Sequence, residues 1–389
     1  MTTKEYNAKR LFLLSCIALI TTAMTFAIRA RLEPEYSELF GLNKEQLGWA
    51  FGTAFWGFTL AQFIGGPFVD LLGMKRFVRL AFVLHLIGIV LTIFATGFWV
   101  LFLGTLFIGV GNGSVEAACN PLVTAIYPDS KTKMLNRFHV WFPGGIVIGS
   151  LIAYLAMDLM KLPWQYLVAT LVVPVIIYGV MTFGQKFPKT ERVEMGISYA
   201  QMWKAILKPL FLIMLFCMLL SAATELTTGQ RINSLLEGTG VAPILVLAFI
   251  NGIMAIGRSF AGPIVHRLNT TGMLFFSAIV SMVGLLLMSY VQGGVLIFLA
   301  AGVFAVGICF FWPTMLGFVS ENIPESGALG LSIFGGAGML STSIFLPISG
   351  WFTDSNFTGQ EILRYTAVLP AVLIVIFAIV FTTMKRKKA

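Results

Sequence analysis

Along the chain, long apolar runs alternate with short polar tracts, and the runs are of bilayer-crossing length rather than of strand length. They predict twelve helices, over 11–32, 46–72, 77–95, 98–125, 134–158, 163–183, 209–231, 242–267, 272–291, 295–319, 328–352 and 363–384. The longest polar interruption, Gly184 to Lys208, falls near the middle and reads as a cytoplasmic linker. It divides the chain into two six-helix bundles, 1–183 and 209–389. Runs such as Phe94 to Gly113 and Leu210 to Thr224 carry no charge at all and need a non-aqueous solvent, since a spanning helix takes about 20 apolar residues. The expected fold class is therefore an all-α integral membrane protein.

Internal repetition sharpens this picture. Offset by 196 residues, Gly66-Pro67-Phe68-Val69 falls on Gly262-Pro263-Ile264-Val265, and Tyr127-Pro128-Asp129-Ser130 on Ile323-Pro324-Glu325-Ser326. Two matches at one offset, about half the chain, indicate duplicated halves. An even number of helices per half gives parallel repeats, an arrangement that places a transport site between the halves near the bilayer midplane.

Composition then excludes several functions. Of 389 residues, 58% are apolar and 11% charged, against roughly 25% charged in soluble domains. Twelve spans at about 20 residues each leave no room for a soluble catalytic or nucleotide-binding domain. The net charge of +9 sits in short tracts between apolar runs, as topology determinants do, and is not a nucleic-acid surface. With the N-terminus inside, tails and inner loops hold 19 of the 26 basic residues, which predicts cytoplasmic termini and a multi-pass protein of the cell's inner (plasma) membrane. The basic start before the first run has no convincing cleavage site and is expected to lead into the first helix. Cys16, Cys119, Cys217 and Cys309 lie inside apolar runs without metal-ligand or disulfide spacing, so they read as packing residues, and no metal or cofactor is expected. Glycine-rich stretches such as Gly109-x-Gly111-x-Gly113 lie within spans, where they permit close helix contact. No Walker-type loop accompanies them, which argues against a pump driven by its own ATP hydrolysis.

After the second predicted helix the chain reads Gly66-x-x-x-Asp70-x-x-Gly73-x-Lys75-Arg76. This resembles the signature loop of the major facilitator superfamily, with Leu71 where a basic residue is usual. An Asp at a helix end beside two cations can latch neighbouring helices in one state and release them in another. A narrower resemblance lies in Glu116-Ala-Ala-Cys-Asn120-Pro121, followed by Pro128-Asp129-Ser130 and Leu135-Asn136, which is similar to the fucose, galactose and glucose proton symporter family. Glu225-x-x-x-Gly229, Gly257-Arg258-x-x-Ala261-Gly262, Trp312-Pro313-Thr314 and Phe334-Gly335-Gly336 extend it over most of the chain. The resemblance implies twelve helices, alternating access and proton-coupled sugar uptake. The chain departs from it at Arg29-Ala30, where fucose-type members carry polar Asn and Asp residues, and at His139, in place of a sugar-contacting Gln. Arg29 tilts the expected solute toward an acid-bearing one.

The candidate residues follow from polar groups inside apolar runs. Asn112, Glu116 and Asn120 recur at every fourth position and share a helical stripe. An intramembrane acid is a functional candidate by default, so Glu116 is expected to carry the proton, with Glu225 as the other acid inside a span. Arg29, Asn112, Asn120, His139 and Trp312 are expected to bind the solute, although Asn112 would serve equally in an interhelical network. Arg29 and Glu225 are separated by the same 196 residues and, with Glu116 and Arg258, would make two positive and two negative charges able to neutralise one another. Gly66, Asp70, Gly73, Lys75, Arg76 and Arg258 are assigned to gating, and His85 to packing. The leading expectation is a monomeric secondary active transporter that couples proton entry to uptake of a sugar or sugar-like solute, acidic ones included. The alternative is an exporter or uniporter of organic anions or drugs. An enzyme would need an activated nucleophile or metal cluster, and no such grouping occurs at useful spacing.

Overall fold

The structure, a computed structural model, describes residues 6–128, 131–189, 199–291 and 293–388. Asp129 and Ser130 of the Pro-Asp-Ser motif lie outside the described residues. Among the described residues twelve apolar helical segments follow one another, ten of them meeting the length and hydropathy of a membrane span: α1 (Ala8–Arg31), α2 (Lys44–Leu72), α3 (Met74–Ile93), α4 (Phe98–Ile126), α5 (Arg137–Leu159), α6 (Trp164–Met181), α7 (Pro209–Gln230), α8 (Pro243–Ser259), α9 (Ala261–Tyr290), α10 (Val295–Val319), α11 (Leu329–Asp354) and α12 (Gly359–Thr383). No strand occurs among the described residues. Side chains such as Leu71, Trp99, Tyr166 and Val295 stand exposed on the periphery, as expected of a surface solvated by lipid tails.

Proline explains where these helices break. A proline ring clashes with the carbonyl four residues earlier and has no N–H to donate to it. Pro143, Pro174, Pro263, Pro313 and Pro370 each stand three residues after an interruption, at Val140, Leu171, Phe260, Phe310 and Ala367, and the carbonyls they cannot bond are those of His139, Thr170, Ser259, Cys309 and Thr366. One of these breaks corrects the sequence reading. Helices were expected over 242–267 and 272–291, with a connection at 268–271; instead α8 stops at Ser259, and α9 runs unbroken from Ala261 to Tyr290. Pro263 sits in the first turn of α9, where its missing N–H costs nothing. Arg267 therefore falls on a helix rather than in a loop. The central linker is partly helical: Tyr199–Ile206 forms a short helix that buries Met202, Ala205 and Ile206.

The repeat offset recurs in the packing. A Cβ on Gly111 would stand 2.4 Å from the His85 ring, and one on Gly307 would stand 2.2 Å from Ser281; both pairs shift together by 196. The second pair of contacts, Gly88 with Ile108 and Gly284 with Phe304, obeys the same offset. Within the first six helices, Gly109 and Gly113 let α4 lie on the backbone of α2: a Cβ on Gly109 would come 2.1 Å from the Ala54 oxygen. This small-x-x-x-small contact is how helices associate where lipid removes the hydrophobic drive between them.

The first and last six helices meet most closely at the face opposite the N-terminus. There α2 abuts α11, with Gly48 against Pro347, Gly52 against Ser343 and Gly350 against Lys44. Arg231, just after α7, crosses to Glu33 of the short helix Glu33–Phe40 at 2.5 Å, and also donates to the carbonyls of Lys44 and Leu346 at 2.7 Å each. Asp354 at the end of α11 accepts from the backbone amides of Lys44 and Glu45 at 3.0 and 2.7 Å, which caps α2 from the other side of the seam. Asn233 donates to the Ala30 carbonyl. At the N-terminal face, among the described residues, no ion pair joins the two sets of helices.

Candidate functional site

Polar groups gather at mid-membrane from both sides of the seam. Glu116 is buried on α4, and Asn120, one turn on, touches its carboxyl and holds His139 Nε2 at 2.9 Å through Oδ1. His139 stands at the α5 break forced by Pro143, within electrostatic reach of Arg258. Arg258 in turn lies 3.7 Å from Glu225 and donates Nε–H to the Cys309 carbonyl at 3.0 Å. That carbonyl is free to accept because Pro313, four residues on, has no N–H. Glu225 occupies a π-turn, Ala223–Thr227, inside α7; such single wide turns recur at functional sites because they push one residue out of helical register. The chain of contacts thus runs from Glu116 through Asn120 and His139 toward Arg258 and Glu225.

Beside it lies a cavity of about 30 Å³, lined by Phe26, Ile146, Glu225, Gln230, Asn251 and Phe304 among others. That volume holds a few waters at most, so this cavity as it stands is too small for a sugar. Arg29 is buried behind two residues of that lining and is not itself part of it: its Nε donates to Gln230 Oε1 at 2.8 Å, Gln230 donates to the Phe26 carbonyl at 3.0 Å, and the guanidinium faces the Phe26 and Phe55 rings at 5.1 and 5.2 Å. The mutual neutralisation expected of the four charges occurs for one pair. Glu225 pairs with Arg258, whereas neither Arg29 nor Glu116 has an ion-pair partner among the described residues.

Other expected site residues are engaged elsewhere. Asn112 Oδ1 accepts from His85 Nε2 at 2.9 Å and its amide donates to Thr25 at 3.0 Å, and His85 in turn meets Tyr178 at 2.8 Å, a network that ties α1, α3, α4 and α6 together. Trp312 packs on α11 beside Gly335 and Gly338 and is not among the residues lining the cavity; Phe304 and Ile308 supply the α10 wall. In the signature tract, Gly66 and Asp70 fall on α2, with the Asp70 side chain outside the described residues. Gly73 alone joins α2 to α3, with φ +86°, a conformation open to glycine. Lys75 donates to the Gln185 carbonyl at 2.7 Å, and the Arg76 contact to Leu72 is long, 3.4 Å.

Sequence reasoning missed Gln230, Asn251, Glu33, Arg231 and Asp354. A signal existed for the first two: both are polar residues inside apolar runs, the same test that found Glu116. Glu33 and Arg231 carried none, because each sits at a predicted helix end, where charges are ordinary. Among the described residues no group of three or more His, Cys, Asp or Glu side chains could hold a metal ion.

The model of the Major Facilitator Superfamily matches residues 11–329. The chain belongs to the major facilitator superfamily. It is a multi-pass membrane transporter and not an enzyme. Among solved structures it is similar to the nucleoside transporter NupG, at 14% identity over 96% of this chain and 98% of that one, with a TM-score of 0.77. It is also similar to the fucose:proton symporter FucP of E. coli (17%, 95% and 98%, TM-score 0.68) and to a D-xylose-proton symporter (15%, 94% and 97%, TM-score 0.76). No curated protein matches the chain.

Proposed function

We propose that this transporter imports a sugar or sugar-like solute together with a proton, by alternating access between residues 1–183 and 209–389. The observation that carries the reading is the buried run of polar and titratable groups from Glu116 through Asn120 and His139 to Arg258 and Glu225. A carboxyl at mid-membrane needs either a proton or a cation. Glu225 has Arg258; Glu116 has Asn120 and no cation, so Glu116 is the proton carrier. Asn120, His139 and Gln230 offer the hydrogen-bonding groups that a hydroxylated solute requires in exchange for water. Structural likeness to sugar and nucleoside carriers supports the solute class.

With both termini in the cytoplasm of a cell whose inner membrane holds the protein, the Arg231–Glu33 latch closes the outer face. The solute then leaves by separation of α4, α5, α8 and α10 at the inner face, and the latch must break for the next solute to enter. Uptake of radiolabelled neutral sugars, sugar acids and nucleosides by proteoliposomes under an imposed pH gradient tests the reading. Accumulation of at least one sugar-like solute that collapses with the gradient is expected, and failure of the whole panel would sink it.

A further inference from the structure

Arg29 differs from the other arginines placed deep in the fold. Arg31 lies 2.5 Å from Glu35 and 3.0 Å from Asp158; Arg231 lies 2.5 Å from Glu33; Arg258 lies 3.7 Å from Glu225. Arg29 is as buried as these, at 5% exposure, yet among the described residues it has no carboxylate within ion-pair reach, and its Nη2 has no hydrogen-bond partner at all. A guanidinium presents five N–H donors in a rigid fork and cannot shed its proton in proteins. One donor is taken by Gln230, whose own amide is fixed on the Phe26 carbonyl. Phe26 and Gln230, the residues that hold Arg29, both line the central cavity. The aromatic faces of Phe26 and Phe55 steady the cation but supply no acceptor for its N–H groups.

Taking this chain as a carrier of sugar-like solutes, we infer that the solute bears a carboxylate that closes on the free edge of Arg29, so that the substrate class is sugar acids and not neutral sugars. A carboxylate accepts from a guanidinium fork in two parallel bonds, and its charge supplies what the protein leaves out. The hydroxyl groups of the same solute then meet Gln230 and Asn251 in a cavity that widens from its present size as the inner face opens. The arrangement also explains selectivity in the carrier cycle. Closing around an anion removes the cost of an unneutralised buried cation, whereas closing around a neutral sugar leaves that cost in place, so the occluded state favours the acid.

The test uses the purified full-length protein in nanodiscs, with D-glucuronate and D-gluconate as probes against D-glucose and D-glucuronamide, the last an uncharged isostere. The acids should bind at least about 10-fold more tightly than the amide or the neutral sugar. Arg29→Lys should keep part of that preference. Arg29→Gln should abolish it while thermal stability and gel-filtration behaviour stay those of the parent; should that variant not fold, the acid-to-amide ratio of the parent decides alone. Equal binding of acid and amide, or an unchanged ratio in Arg29→Gln, overturns the inference. The two readings fail separately. Uptake of neutral sugars without preference for acids sinks this inference and leaves sugar transport standing. Arg29-dependent binding confined to non-sugar carboxylates such as lactate or succinate upholds the anion and sinks the sugar. Binding of none of these probes rejects both.

Discussion

Glu33→Gln should open the face opposite the N-terminus. Glu33 is fully buried, takes the Arg231 guanidinium at 2.5 Å and has the Lys44 ammonium at 3.7 Å. Removing one partner of a buried pair costs about 3–5 kcal/mol, because the other charge stays behind. Here Arg231 keeps the Lys44 and Leu346 carbonyls, so the cost falls to about 2–3 kcal/mol. When the seam parts, Arg231 reaches water and the cost vanishes; the closed state alone is penalised, and the open population rises about 30- to 150-fold. The assay is the rate at which an impermeant maleimide labels a cysteine placed at Ala30, which lies beneath Asn233 and is fully buried, after replacement of the four native cysteines. Arg231→Gln combined with Glu33→Gln leaves two neutral amides able to bond each other, so the pair should label more slowly than Glu33→Gln alone. Unchanged labelling in Glu33→Gln, or a double variant faster than either single one, would refute the latch.

Three further outcomes are expected. Glu116→Gln imitates a protonated carboxyl, so accumulation driven by a pH gradient should disappear while exchange of internal for external solute persists; accumulation at the parent rate would move the proton to Glu225. A cysteine at Asn356 should react with a membrane-impermeant reagent applied to intact cells and one at Lys189 should not, and the reverse pattern would invert the topology. Asn112→Ala strands His85 and Thr25 in the core and should lower stability by about 1–3 kcal/mol, seen as a fall in Tm with the order of substrate preference intact; a changed preference instead would put Asn112 at the solute.

The sequence carried the fold well because bilayer spans are long and their apolar character is independent of which face meets which neighbour. It carried the site unevenly. Glu116, Asn120 and His139 were legible as polar groups in apolar runs, and they do come together. Asn112 obeys the same stripe but is turned to His85, since a helical stripe spans several neighbours and only packing decides which of them is met. The expected neutralisation of four charges failed for a related reason. Symmetry-equivalent positions in two halves share a depth, but the residue that Arg29 meets, Gln230, lies one and a half turns beyond its equivalent Glu225, past the π-turn that shifts the register.

The prolines show the opposite case, in which local chemistry reaches the site directly. Five breaks lie one turn ahead of a proline, although Pro121 and Pro347 stand inside unbroken helices; the freed Cys309 carbonyl follows from Pro313, and Arg258 then uses it. The consequence can be measured. Pro313→Ala gives residue 313 an N–H that competes for that carbonyl and straightens α10, so Arg258 loses its fixed position against Glu225. Pro313 stands in the first turn of the segment Phe311–Asn322, where a proline costs little, so the variant should be close to the parent in stability, while transport slows. A transport rate equal to the parent's would show that the Arg258–Glu225 pair needs no such support.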